Sequence, residues 1–374
     1  MITSGEIMVK AVWKFLLGVS TFILFCVPNL VPVLSLMGED EQYDSELTPL
    51  DRAIKVAIYD SIFRSPKLIH NSLKYTWNYE NSSYAFNATL IDSREILGYG
   101  AHPLNNDNFD VFVMGASARQ YIHGLYPLFK FNLRKFVSEG GGYVGFCGGA
   151  NEASQAILED NTLLGTIINK ALIGIANVYS NDQQKEEWQY AWKEAKGDAG
   201  NNSGIPLNVS INTSHPIFSI CNEKIRNIRW WGGPGMLIAD KDDPLFGEIC
   251  PLAIYIEEPM DKGPIHYWKN SLFKNPETYK TVVTDIAGQY AGVATTYNKG
   301  KIVLYGPHPE YSTWTNGYIN EFETESRGWI GNKFVYNWAG CETRYDYNWW
   351  IIRRSVAWVA GLTEKILPPI EVVL

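Results

Sequence analysis

Tyr143 to Phe146 is a short apolar run that breaks at once into Cys147-Gly148-Gly149. A strand that ends in Gly-x-Cys-x-Gly and runs on into a helix holds its cysteine on a tight, strained bend. Small neighbours permit that backbone. The motif therefore asks for strand, bend and helix in that order, with the thiol at the carboxyl edge of a sheet. The stretches upstream repeat this order. Ile54 to Tyr59 reads as a buried strand, and Ser65 with Pro66 starts a helix carrying Leu68, Ile69, Leu73 and Trp77. Tyr84 to Ile91 and Asp110 to Met114 read as two further strands. Arg119 to Ser138 reads as one helix with a broad apolar face, stopped by Gly140 to Gly142. Alternating strands and helices predict an α/β fold with a parallel sheet.

Further along, Ala291 to Tyr297 and Lys301 to Tyr305 predict a hairpin around Asn298-Lys299-Gly300. Residues 182–196 read as an exposed charged helix, 312–345 as aromatic-rich and irregular, and Trp349 to Leu362 as a final amphipathic helix.

A cysteine at a helix N-terminus has the dipole and free N–H groups on its side as a thiolate. The N–H of Gly148 then points to where an oxyanion would form, and Gly115, at the end of the third strand, offers a second donor position. Gly115 has a plainer reading as a strand-end turn, and Cys147 as a buried structural thiol. A thiol nucleophile needs a base. His308 and Glu310 lie two residues apart after the hairpin strand, so both can face the sheet edge that holds Cys147. Trp230 and Trp231, before Gly232-Gly233-Pro234, read either as core aromatics or as the lining of a pocket; Trp231 and Gly233 are the substrate-binding candidates. His70, His102, His123, His215 and His266 show no metal-ligand spacing, and no zinc-type Cys/His cluster is present. The chemistry calls for no metal and no organic cofactor.

The stretches GGGYVGFCGGA (140–150), RWWGGPGM (229–236) and NKGKIVLYGPHPE (298–310) resemble the class I glutamine amidotransferase-like superfamily. Within it they resemble the family named after the N-terminal domain of some biotin-protein ligases. The resemblance runs from about residue 52 to about 363. It implies a flavodoxin-like parallel sheet with helices on both faces. It also implies a Cys-His-Glu triad in which Cys147 is nucleophile, His308 base and Glu310 orienter. It implies one amidotransferase-like domain over 52–374, with insertions at about 160–210 and 312–345. Neither an ammonia-using synthase segment nor a biotin-ligase catalytic segment accompanies it. The implied activity is thus thiol-mediated cleavage of a small-molecule or peptide amide, without glutamine or biotin as the assigned substrate. The competing expectation is a non-catalytic binding module on the same fold.

Residues 15–37 carry no charge. Lys10 and Lys14 precede them, and Glu39, Asp40 and Glu41 follow. Positive before and acidic after predicts the N-terminus inside and the rest outside. Residues 1–40 then form a retained membrane anchor or a cleaved signal peptide, and 41–51 an acidic linker. The absence of an A-x-A site favours the anchor, giving a membrane-attached, extracytoplasmic body. Sequons at Asn81, Asn87, Asn201, Asn208 and Asn212, and a conceivable Cys221–Cys250 pair, fit that expectation. Composition excludes two other classes. At 46% hydrophobic and 19% charged the chain is not intrinsically disordered. A net charge of -8 without a dense basic run excludes a general nucleic-acid binder.

Overall fold

The computed structural model describes residues 50–60, 64–116, 119–158, 163–182, 204–263, 266–269, 277–281, 283–326 and 332–370. The chain divides into two units, Met1–Leu47 and Thr48–Leu374, and everything described belongs to the second. In chain order the first strands are β1 (Leu50–Tyr59), β2 (Thr76–Tyr79), β3 (Ser82–Ile91), β4 (Val111–Met114), β5 (Gly142–Phe146), β6 (Ala156–Ile157), β7 (Val178–Asn181) and β8 (Ile205–Ile211). Then come β9 (Ile225–Trp230), β10 (Gly235–Ile238), β11 (Cys250–Tyr255), β12 (His266–Lys269), β13 (Glu277–Thr281), β14 (Tyr290–Tyr297), β15 (Gly300–Tyr305), β16 (Trp314–Ser326) and β17 (Asn332–Glu342). The α-helices are α1 (Ser65–Ser72), α2 (Ser93–Leu97), α3 (Arg119–His123), α4 (Pro127–Ser138), α5 (Gly148–Ala153), α6 (Leu163–Ala171), α7 (Pro259–Lys262) and α8 (Trp349–Val359).

Among the described residues, one large sheet runs β2-β3-β1-β4-β5-β15-β14-β10-β7-β6, with β11, β8 and β9 branching from β14. Its centre, β3-β1-β4-β5-β15, is parallel. The hairpin partner β14 and the branch beyond it are antiparallel. The molecule is thus an α/β fold on a mixed sheet. Period-two alternation splits β1 between two cores. Ile54, Val56 and Ile58 join Val113, Val144 and Val303 on one face, under α1 and α8. Ala57 and Tyr59 join Phe112, Tyr143 and Leu304 on the other, under α4. Burial on both faces is what continuous apolar strands require.

Several expectations change. The helix foreseen over 119–138 is two helices. Pro127 has no N–H to continue the first, and its fixed φ suits the start of the second. On α4, Phe129, Leu133 and Phe136 are buried, while Leu128 and Phe131 stay exposed. Trp77 lies not on a helix but on β2, stacked on Tyr84 of β3. Residues 312–345, expected to be irregular, hold the antiparallel pair β16–β17. The helix expected over 182–196 lies, beyond Asp182, outside the described residues. Cys221 and Cys250 are both free thiols. The side-chain amides of Asn208 and Asn212 are spent on Glu257 and on the Pro251 carbonyl.

The expectation of membrane attachment is also corrected. Among the described residues, no helix is long and apolar enough to cross a membrane. The longest of them, α4, has 12 residues and reaches only about 18 Å, against roughly 30 Å of hydrocarbon. The stretch 15–37, on which the expectation of an anchor rested, lies outside the described residues.

Candidate active site

Cys147 sits between β5 and α5 with φ 51° and ψ -108°, a region that side chains bearing a Cβ avoid. Two close contacts hold the bend. A Cβ on Gly149 would lie 2.0 Å from the Met114 carbonyl oxygen, so α5 can approach the end of β4 only with glycine there. The Tyr143 hydroxyl donates to the Gly149 carbonyl at 2.7 Å. The Cys147 N–H donates to the Tyr305 carbonyl at 2.8 Å, which ties the bend to β15. Its own carbonyl accepts from the N–H groups of Ala150 and Asn151, so it caps the first turn of α5. Gly148 opens that helix, where N–H groups have no acceptor within the helix.

β5 and β15 are parallel neighbours in register, Phe146 against Tyr305. Gly306 therefore stands beside Cys147 at the carboxyl end of the sheet, and His308 follows two residues on. The His308 N–H bonds to the Arg229 carbonyl at 2.7 Å, so this segment runs against β9. Imidazole Nδ1 meets Glu310 Oε1 at 2.9 Å. A carboxylate only accepts, so Nδ1 is the donor of this bond. Nε2 is buried and has no hydrogen-bond partner. Ser65 Oγ donates to the same Glu310 oxygen at 2.6 Å, and the Trp349 indole donates to the Glu310 backbone carbonyl at 3.1 Å. Cys147, His308 and Glu310 are all buried.

The two tryptophans separate. Trp230 is a core side chain whose indole N–H donates to the Gly233 carbonyl at 2.8 Å. Trp231 is half-buried, with its ring centroid 6.1 Å from that of His308 and its indole N–H without a partner. Tyr311 packs edge-on to both rings. At Gly233 there is no room for a side chain, since a Cβ there would lie 1.9 Å from the Gly306 carbonyl oxygen. Gly115 packs against Ser65 at the exit of β4.

Further residues complete the surroundings. The Tyr255 hydroxyl donates to the Pro234 carbonyl at 3.2 Å. Burial, with the Cys147 and Asp182 charges, raises its pKa well above the ordinary phenol value. Asn151, one turn past Cys147, donates to Asp182 at 2.8 Å and to the Tyr121 hydroxyl at 3.2 Å. Behind it, Glu152 is fully buried with neither carboxylate oxygen hydrogen-bonded. Burial holds its pKa well above the carboxylate range, with Lys130 opposing weakly. The buried Gln120 amide on α3 is likewise unpartnered.

No protein-family model matches the chain, and no curated protein matches it. Solved structures of glutamine amidotransferase type are similar in fold at low identity. PurLQS from Thermotoga maritima is 12% identical, with 69% of this chain and 88% of that one covered and a TM-score of 0.35. A glutamine amidotransferase from Thermotoga maritima is 12% identical, with 69% and 76% covered and a TM-score of 0.34. A β-galactosidase from Bacillus circulans sp. alkalophilus is 9% identical, with 68% and 28% covered and a TM-score of 0.36.

Proposed function

We propose that residues 52–374 act as one amidotransferase-like domain, related to the biotin-protein ligase N-terminal-domain family, that cleaves an amide through a cysteine. In this reading His308 Nε2 takes the Cys147 proton. The sulfur attacks the amide carbonyl carbon, and the Gly148 N–H, with a second donor from the loop at Gly115, faces the resulting oxyanion. Collapse breaks the C–N bond, and His308 passes its proton to the departing amine. Water, deprotonated by His308, then splits the thioester, releasing the acid and returning the thiol. Trp231 and the backbone at Gly233 would flank the substrate. The observation that carries the reading is the His308 Nδ1 to Glu310 Oε1 bond with Nε2 left unpartnered. Buried polar atoms without partners are costly, and functional sites are where such groups are retained.

The test is the rate at which iodoacetamide labels Cys147, followed by mass spectrometry of the Cys147 peptide. The reading expects labelling near neutral pH that falls about a hundredfold in His308→Gln, in keeping with loss of a general base. Unchanged labelling in that variant would sink it. The burial of Cys147 favours the second reading, a binding module that keeps the fold without turnover. A Cys147 thiol that stays unlabelled until the protein unfolds would select that reading.

A further inference from the structure

Ser65 opens α1, yet its hydroxyl does not cap that helix, whose N-cap, Arg64, also makes no side-chain cap. Instead Oγ joins two distant pieces of chain. It accepts the Ala116 N–H at 3.2 Å, from the loop leaving β4, and donates to Glu310 Oε1 at 2.6 Å. Ser65 is fully buried. Glu310 Oε1 thereby holds two donors, Ser65 Oγ and His308 Nδ1, while Oε2 is buried and has none. The fit around the hydroxyl is tight, since a Cβ on Gly115 would lie 2.5 Å from Ser65 Oγ and 2.9 Å from Ile69 Cδ1.

We propose that Ser65 is a positioning residue of the site. Through one hydroxyl it fixes which Glu310 oxygen faces the imidazole, and it locks the candidate oxyanion loop at 115–116 to the same carboxylate. The inference rests on the thiol-amidase reading above and adds a fourth member to it. A carboxylate buried beside a single imidazole can rotate about its last bond, presenting either oxygen. A second, charge-assisted donor on Oε1 removes that freedom. His308 faces Glu310 through the Nδ1 hydrogen bond, and the Trp349 indole holds its backbone carbonyl.

The experiment is the pH profile of iodoacetamide labelling at Cys147 for the wild type, Ser65→Ala, Ser65→Thr and His308→Gln, with thermal unfolding of each. In Ser65→Ala the loss of one charge-assisted hydrogen bond lowers labelling at neutral pH about tenfold. The acid limb of its profile moves up, because a carboxylate free to turn orients the imidazole less well and so supports the Cys147 thiolate less. Ser65→Thr, which keeps the hydroxyl, restores the wild-type limb even where the added methyl lowers the melting temperature. A merely structural serine would shift the melting temperature and leave the limb where it was, and that result overturns the proposal. If His308→Gln leaves labelling unchanged, the triad reading fails and takes this one with it. If His308→Gln suppresses labelling and Ser65→Ala does not move the limb, only the role of Ser65 fails.

Discussion

Gly233 and Gly306 cross so closely that neither has room for a side chain. A Cβ on Gly233 would stand 1.9 Å from the Gly306 carbonyl oxygen, and one on Gly306 would stand 2.1 Å from the Pro234 carbonyl oxygen. This crossing holds the Trp231 segment against the strand end that leads to His308. Both offending neighbours are backbone, so neither can swing aside. Gly233→Ala should therefore cost about 1–3 kcal/mol of stability. It should also part Trp231 from His308. Urea unfolding reads the first effect and Trp fluorescence of the folded protein the second. An alanine variant with wild-type stability and spectrum would show that the crossing is not rigid.

The bend at Cys147 makes a prediction that separates strain from chemistry. With φ at 51°, any residue bearing a Cβ is held in an unfavourable region, at roughly 1–3 kcal/mol. Glycine relieves that strain and alanine does not. Cys147→Gly should thus unfold at a higher urea midpoint than Cys147→Ala, although both lack the thiol. Equal midpoints would mean that the bend relaxes once the sulfur is gone.

What the sequence showed and what it hid follow one physical divide. Val111 to Met114 and Gly142 to Phe146 are buried on both faces, so their unbroken apolar runs announced them. The bend at Cys147 was legible because glycine is the residue a close backbone approach demands. The pairing of His308 with Glu310 was legible because two residues at a strand end stay near each other whatever the rest does. Trp77 was misread because its spacing from Leu73 also fits a helical turn. β16 and β17 mix polar and aromatic residues without the alternation of a half-buried strand. Ser65 offered no signal at all. A serine before a proline reads as a helix start, and its contact with Glu310 exists only after residues far apart in the chain have met.

Glu152 makes stability fall as pH rises. Its carboxyl is fully buried, lacks hydrogen bonds and holds its proton well above the usual range. In the unfolded chain it ionises above its ordinary pKa of about 4.3. From there up to its folded pKa, the unfolded state binds fewer protons and gains about 1.4 kcal/mol per pH unit over the folded one. Glu152→Gln removes that dependence. The variant should match or trail the wild type near pH 4 and overtake it progressively between pH 5 and 7. Urea unfolding across that range checks this, and a gap independent of pH would contradict it.

His215 works in the opposite direction. Burial, with Lys301 nearby, depresses its pKa to about 4. Its Nδ1 accepts the Ile217 N–H at 3.2 Å, and its ring meets Trp358 edge-on at 4.9 Å. Lys301 Nζ already lies 4.6 Å from the Trp358 ring centroid, so a protonated imidazole would meet a second cation over the same ring. The folded state therefore keeps His215 neutral, while the unfolded chain protonates it below about pH 6.5. Stability is lost as pH falls from there toward 4. The slope is at most about 1.4 kcal/mol per pH unit, and smaller where solvent screens the ring. His215→Gln keeps an acceptor for Ile217 but cannot gain a proton. Its unfolding free energy, measured against the wild type between pH 7 and 4, should therefore decline less steeply. Parallel curves would mean that the imidazole finds a stabilising partner once charged, which the placement of Lys301 argues against.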